Sequence, residues 1–172
     1  HLETGYQWSM GVWEKPLNVE HWKVPADEVH QAVADAFLRY DVWRLYADPP
    51  YWESTIAAWA GQFGAERVIE WWTNRRRAMT AALQAFSTAI LDGKVLHSDD
   101  PTMTRHIGNA RREDLKGWRD EQGKPLWLTR QDRADSPHKI GAAMAAVLSW
   151  EARNDAISAG MIQPVGVSFE WV

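Results

Sequence analysis

The amino-acid sequence predicts an α/β fold, a layered sandwich in which helices flank a mixed sheet. Short apolar runs of strand-forming residues alternate with longer segments whose apolar residues recur at helical spacing. The chain has 172 residues, of which 45% are hydrophobic and 24% charged, the balance of an ordinary globular domain. We therefore expect residues 1–172 to form a single domain with its own core.

The N-terminal quarter of the chain predicts a strand, a helix and a second strand. Tyr6–Trp13 alternates in part and carries aromatic residues that favour strands. Pro25 suits the first turn of a helix, and Asp27 and Glu28 follow it, where acidic side chains suit the helix dipole. Val42–Ala47 is a mostly apolar run that ends before two prolines, so we predict a buried strand there.

Two further helices and one strand are predicted in the middle of the chain. Tyr51–Phe63 returns to helical spacing, and a glycine follows it. Arg67–Trp72 is a short apolar run and predicts a strand. Thr73-Asn74 then supplies capping side chains for a long helix from Arg75 to about Leu91.

The C-terminal half is predicted to hold shorter elements and one long helix. Lys94–Ser98 indicates an extended piece, and Asp100–Arg112 a short helix. Glu113–Lys124 is charged and contains glycine, which favours a loop or hairpin, and Leu126–Thr129 indicates a strand. Ser136-Pro137 is expected to begin the last helix, which runs to about residue 159.

Composition excludes several classes of protein. The chain has no cysteine, so disulfide scaffolds and cysteine-type zinc sites are excluded. No apolar run is long enough to span a membrane, and the first eleven residues lack the pattern of a signal peptide. The net charge is −4, which does not favour a tight nucleic-acid binder.

The sharpest local signal is the run Tyr46–Trp52, in which Asp48 follows a predicted strand and precedes two prolines. An acid at the carboxyl end of a buried strand lies where α/β sheets place ligands and metals. Asp-Pro-Pro-Tyr is also the signature of adenine-N6 methyltransferases, which stack the tyrosine on a flipped base. Those enzymes need a glycine-rich turn after a first strand, and none is evident here. Metal-dependent phosphodiester cleavage is the other chemistry that uses such an acid.

Five segments match one family in order and spacing. They are Gly11–Pro16, Val42–Trp52, Glu70–Asn74, Arg105–Ala110 and Asp135–Ile140. They are spread along nearly the whole chain, and together they resemble the nuclease domain of DNA-packaging terminase large subunits from tailed phages of actinobacteria. Their co-occurrence is far more specific than any one of them.

The resemblance implies a ribonuclease-H-like mixed sheet flanked by helices, with the first strand truncated or missing here. It implies an endonuclease that cuts concatemeric double-stranded phage DNA with two Mg²⁺ or Mn²⁺ ions, with Asp48 as catalytic residue and metal ligand. The expected partners are phage DNA, the terminase ATPase domain, the small terminase subunit and the portal, in the host cytoplasm and not at a membrane or as a stable part of the virion. The ATPase motor itself is not expected in this chain, because it has no Gly-x-x-x-x-Gly-Lys-Ser/Thr loop.

The sequence departs from the family at two acids. The first strand's Asp-Gly-Ser-like turn has no counterpart, and the position of the third acid, after Lys139-Ile140, is Gly141. Asp132 or Asp135 is an alternative source for the third carboxylate, although we favour its loss. Hard cations want several oxygen ligands, so we expect weak or absent cleavage by this chain alone.

Basic residues next to these positions are candidates for DNA contact. Arg75 and Arg76 lie at a predicted strand-to-helix junction, and Lys139 precedes the third-acid position. His97 and His106 have no acidic partner in register, so packing or surface positions are expected for them. Three hypotheses remain open: a nuclease with an impaired site, a decayed nuclease fold that docks DNA, motor or portal, and a base methyltransferase.

Overall fold

Five helices and six strands alternate along residues 1–133 and 136–162, the parts of the chain that the computed structural model describes. The helices are α1 (Ala26–Arg39), α2 (Glu53–Phe63), α3 (Arg76–Leu91), α4 (Pro101–Asn109) and α5 (Gly141–Ser158). The strands are β1 (Tyr6–Gln7), β2 (Leu45–Ala47), β3 (Val68–Glu70), β4 (Leu96–His97), β5 (Arg111–Arg119) and β6 (Pro125–Arg130). The predicted mixture of helices and strands is confirmed. None of the described helices is both long enough and apolar enough to cross a membrane.

The strands pair in three separate two-stranded sheets across the described residues. β1 pairs with β4 and β2 with β3, both in parallel, whereas β5 and β6 form an antiparallel hairpin. The single mixed sheet predicted from the sequence is therefore not observed. The strands expected at Tyr6–Trp13 and Val42–Ala47 shrink to two and three residues, and a groove separates them. β2 is only half-buried, so the expectation of a buried strand is corrected as well.

Two hydrophobic clusters hold the layers together. The larger one joins α3, α5 and β6, and the smaller one joins α1 and α2 to the pair β2–β3. Alanines fill much of the buried face of α5, which lets its backbone lie close to its neighbours. The buried members of the larger cluster are Met79, Ala82, Leu83, Phe86, Ala89, Ala146, Val147 and Trp150. Those of the smaller cluster are Ile56, Trp59 and Val68.

The last helix begins at Gly141, five residues later than predicted. The segment before it makes local turns instead of a first helical turn. The Ser136 hydroxyl accepts the backbone N–H of His138 at 2.9 Å, and the N–H of Lys139 donates to the carbonyl of Pro137. The side-chain amide of Asn109 in α4 donates to the carbonyl of Lys139, which ties this segment to the rest of the fold.

Candidate active site

Asp48 lies directly after β2, at the carboxyl end of the parallel pair β2–β3. The strand stops there because the next two residues are prolines, which lack the N–H that a continuing strand would donate. Pro49 is buried, and its carbonyl accepts the N–H of Trp52 at 2.7 Å, which closes a turn before α2. The chain reversal leaves the Asp48 carboxylate half-buried at the sheet edge.

Thr73 holds the Asp48 carboxylate from the neighbouring strand end. Its backbone N–H donates to Oδ1 at 3.1 Å, and its hydroxyl donates to Oδ2 at 2.7 Å. The expectation that Thr73-Asn74 caps α3 is therefore wrong: the N-cap of α3 is Arg75, which makes no side-chain capping bond. A carboxylate has about four lone-pair positions, so these two bonds fix its orientation and leave acceptor positions unused.

Gly141 lines the same cavity as Asp48 and Thr73. This cavity has a volume of about 1120 Å³ and runs along α5 between β1 and β2. A Cβ atom built on Gly141 would meet no atom within 4 Å, so the position has room for a side chain. Glycine in the interior of a helix costs about 1 kcal/mol relative to alanine, but Gly141 is the first residue of α5, so this cost does not apply in full.

The described residues do not make up a two-metal site. No group of three or more His, Asp or Glu side chains lies together anywhere in residues 1–133 and 136–162 in a way that could hold an ion. Asp132 pairs with His138 at 3.2 Å. Hydrogen bonds, of which the one from Ser136 has the largest effect, lower the pKa of the Asp132 carboxyl. The other alternative, Asp135, lies outside the described residues. Asp48 is thus joined in its cavity by a glycine at the expected position of the third acid.

The candidate DNA-binding residues lie next to the starts of α3 and α5. Arg75 and Arg76 are exposed, follow Thr73 closely, and form no ion pair with any described residue. Lys139 is half-buried two residues before Gly141 and lines a second cavity, of about 820 Å³, that Gly141 also borders. Positive charge therefore stands at the start of α3, which follows Thr73, and just before the start of α5, which begins at Gly141.

A buried polar cluster that the sequence did not predict anchors the start of α5. His106 in α4 is only 1% exposed, and its Nδ1 accepts the backbone N–H of Ala142 at 2.9 Å. Since Nδ1 accepts, Nε2 carries the proton and donates to the Glu14 carboxylate at 2.7 Å. The packed position expected for His106 is confirmed, whereas the expectation that it has no acidic partner is corrected.

Arg105 completes this cluster from the solvent side. Its guanidinium donates to both oxygens of Glu14, and this pairing is the main reason why the pKa of Glu14 falls from 4.5 to about 2. Glu14 and His106 lie 92 positions apart in the chain. The only local signal for the cluster is the pair Arg105-His106 at adjacent positions of a predicted helix.

The groove between β1 and β2 has polar groups on its floor and walls. Gln7 is 8% exposed and donates from Nε2 to the carbonyl of Ala146 and to the Ser149 hydroxyl, while its Oε1 has no partner among the described residues. Tyr46 donates its hydroxyl to Asp155, and burial together with this bond raises the pKa of Tyr46 to about 12. β1 and β2 each pair on one edge only in the described chain.

Two bacteriophage proteins are similar to this chain. Both are called Gene 13 protein, from Mycobacterium phage D29 and Mycobacterium phage L5, with 28% and 26% identity over 142 residues, or 77% of this chain. The chain spans about a quarter of the length of these curated relatives, 23% in each case. No protein-family model matches the chain. No solved structure matches it either.

Proposed function

We propose that this chain is the nuclease domain of a tailed-phage DNA-packaging terminase large subunit, with a metal site that is incomplete. One observation carries the proposal: the Thr73-held carboxylate of Asp48 opens, at the carboxyl end of a parallel strand pair, onto a cavity that the start of α5 also lines. Similarity to phage proteins about four times as long is consistent with an additional motor domain in the complete protein.

The chemistry of the complete site would be phosphodiester cleavage with Mg²⁺ or Mn²⁺. Asp48 supplies one ligand, and Thr73 orients it as an outer partner of the metal site. At Gly141 a ligand atom is missing, although the space for one is present. The described residues alone thus do not fit the metal pair, and we expect the chain to cut DNA weakly or not at all.

An extended segment in the groove between β1 and β2 would complete the sheet and supply the first acid. Leu45 and Ala47 direct their hydrogen-bonding groups to β3, through bonds to Arg67 and Trp71. In a parallel ladder the intervening residue, Tyr46, then points its N–H and C=O to the opposite edge, toward the groove. A strand paired there would lie directly beside Asp48.

The positive groups around Asp48 suit a DNA backbone. Arg75 and Arg76 lie at the start of α3, and Lys139 lies two residues before α5, so these cations are suited to neutralise DNA phosphates. Each phosphate contact releases counterions, so alanine at Arg75 or Arg76 is expected to weaken DNA binding at all sequences and to lower the salt slope by about 1.

Restoring a carboxylate at Gly141 tests the nuclease proposal. Gly141→Asp is expected to create Mn²⁺ binding, measured by calorimetry, that the unchanged chain lacks, and Gly141→Asn provides a control of the same size without the charge. Adding Asp48→Asn to Gly141→Asp should abolish the binding. Metal-dependent nicking of plasmid DNA should likewise be detectable, though weak, for Gly141→Asp and should be lost when Asp48→Asn is added. Mn²⁺ binding by Gly141→Asp that survives Asp48→Asn would rule out the site.

Two alternatives make different predictions. A docking module for DNA, motor or portal is favoured by the missing ligand atom at Gly141, and would bind DNA in the presence of EDTA without ever cutting it, even as Gly141→Asp. A base methyltransferase, suggested by Asp48-Pro49-Pro50-Tyr51, would bind S-adenosylmethionine in the same calorimeter.

A further inference from the structure

Tyr51 combines a strained backbone with a fully exposed ring. Its φ angle is +70°, a conformation that residues with a side chain rarely adopt, and it is 98% exposed. The bond from the Trp52 N–H to the Pro49 carbonyl makes Tyr51 the third residue of a β-turn. Where such a turn needs a positive φ at this position, glycine or asparagine is the usual residue.

Burial of the Tyr51 side chain within the described structure does not offset the energetic cost of its strained backbone. An aromatic side chain normally stabilises a fold by burial, and the ring of Tyr51 is almost entirely in solvent. Strained residues persist where the surrounding structure fixes them, and they concentrate at functional sites. Here the turn is fixed on both sides, because Pro49 is buried and Trp52 packs against the smaller hydrophobic cluster and stacks on Trp59.

Tyr51 lies close along the chain to the candidate active site. Tyr51 follows Asp48 by three residues in the turn that leaves β2. Thr73, which holds the Asp48 carboxylate, is followed by Arg75 and Arg76, which are exposed and form no ion pair with the described residues. A flat apolar surface and positive charge at one edge are the two features that bind an unstacked nucleotide, through its base and its phosphate.

We propose that Tyr51 stacks on a nucleobase of the DNA strand whose phosphate lies at Asp48, so that the site prefers DNA with an accessible base. The inference rests on the proposed DNA-cleaving function, and it specifies the form of DNA that the site prefers as substrate. Bases inside a duplex already stack on one another, whereas single-stranded or frayed DNA offers a free face. A single tyrosine gives this preference without reading the sequence, since every base has such a face.

Three variants of Tyr51 test the proposal through binding alone, in EDTA. The ligands are a short fluorescein-labelled single-stranded oligonucleotide and the matching duplex, measured by anisotropy at one salt concentration. Tyr51→Gly and Tyr51→Ala are expected to weaken single-strand binding by roughly 5- to 100-fold, the loss found per stacked base, and to change duplex binding by about twofold at most. Tyr51→Phe keeps the ring and should bind like the unchanged chain.

Thermal stability supplies the second readout. Tyr51→Gly removes the strain, so its Tm should rise by about 2 °C while its affinity for single strands falls. Asp99→Gly is the matched control: Asp99 is exposed and has a φ of +56°, far along the chain from Asp48. Because aspartate adopts a positive φ more readily than tyrosine, Asp99→Gly should raise the Tm by less than Tyr51→Gly, and it should leave DNA binding within about twofold.

Several outcomes would overturn the proposal. Single-strand binding by Tyr51→Gly equal to that of the unchanged chain would remove the stacking role, and so would a loss in Tyr51→Phe. Equal losses on single strand and duplex would assign Tyr51 to the DNA backbone instead of a base. These binding experiments involve neither metal nor cleavage, so they can be interpreted even if the Gly141→Asp experiment fails. Only the absence of all DNA binding would contradict both the nuclease proposal and the stacking role of Tyr51.

Discussion

The polar cluster at the start of α5 offers a quantitative test of what holds the candidate active site in place. His106→Ala removes the bond to the ionised Glu14, worth about 1.5–3 kcal/mol, and the bond from the Ala142 N–H, worth about 0.5–1.5 kcal/mol. It also leaves a buried N–H and a small cavity, for about another 1 kcal/mol. We therefore expect His106→Ala to lower the free energy of unfolding by about 3–5 kcal/mol.

Urea unfolding followed by tryptophan fluorescence measures this loss, since the chain has twelve tryptophans. His21→Ala is the matched control, because His21 is exposed, and its effect should stay within about 0.5 kcal/mol. A loss below about 1 kcal/mol for His106→Ala, with an unchanged dependence on urea, would refute the claim that this histidine anchors α5.

Three further predictions follow from the same structure. Because its pKa is lowered, Glu14 stabilises the fold fully above pH 4.5 and loses that effect as pH falls toward about 2. Glu14→Gln should therefore reduce the pH dependence of the urea midpoint across this range. In the Gly141→Asp background, Thr73→Val should weaken Mn²⁺ binding by about 10- to 100-fold in calorimetry, because the Asp48 carboxylate loses its hydroxyl partner. Gly5→Ala should lower the Tm, because Gly5 has a φ of +73° and an added Cβ would lie 2.7 Å from the carbonyl oxygen of Lys94.

Local sequence patterns were sufficient to place most helices and Asp48. The helices α2 and α3 lie within about two residues of their predicted bounds, and α1 begins directly after Pro25, as expected. Each of the three has a regular apolar face and a proline or glycine near an end. The two prolines after Asp48 stop β2 where predicted. These features depend on neighbours a few residues apart, which a single sequence records well.

Contacts between distant segments were beyond the same reasoning. Nothing near His106 marks Glu14 as its partner, and Thr73 looks like a helix cap until β3 brings it beside Asp48. The separation of β1 from β2 was also missed, because an alternating pattern predicts strands but not which edges meet. Such pairings are settled by tertiary packing, which is why the position of Asp48 was predictable and its surroundings were not.

The edge of β2 that no described strand covers has a practical consequence for work with the isolated chain. Unpaired amides and carbonyls along a strand are a template onto which another molecule can add its own strand. We expect the loss of monomer to grow with protein concentration, and light scattering to detect it before any loss of helix. Samples for crystallisation or calorimetry should therefore be kept dilute, or produced with an additional segment that covers this edge.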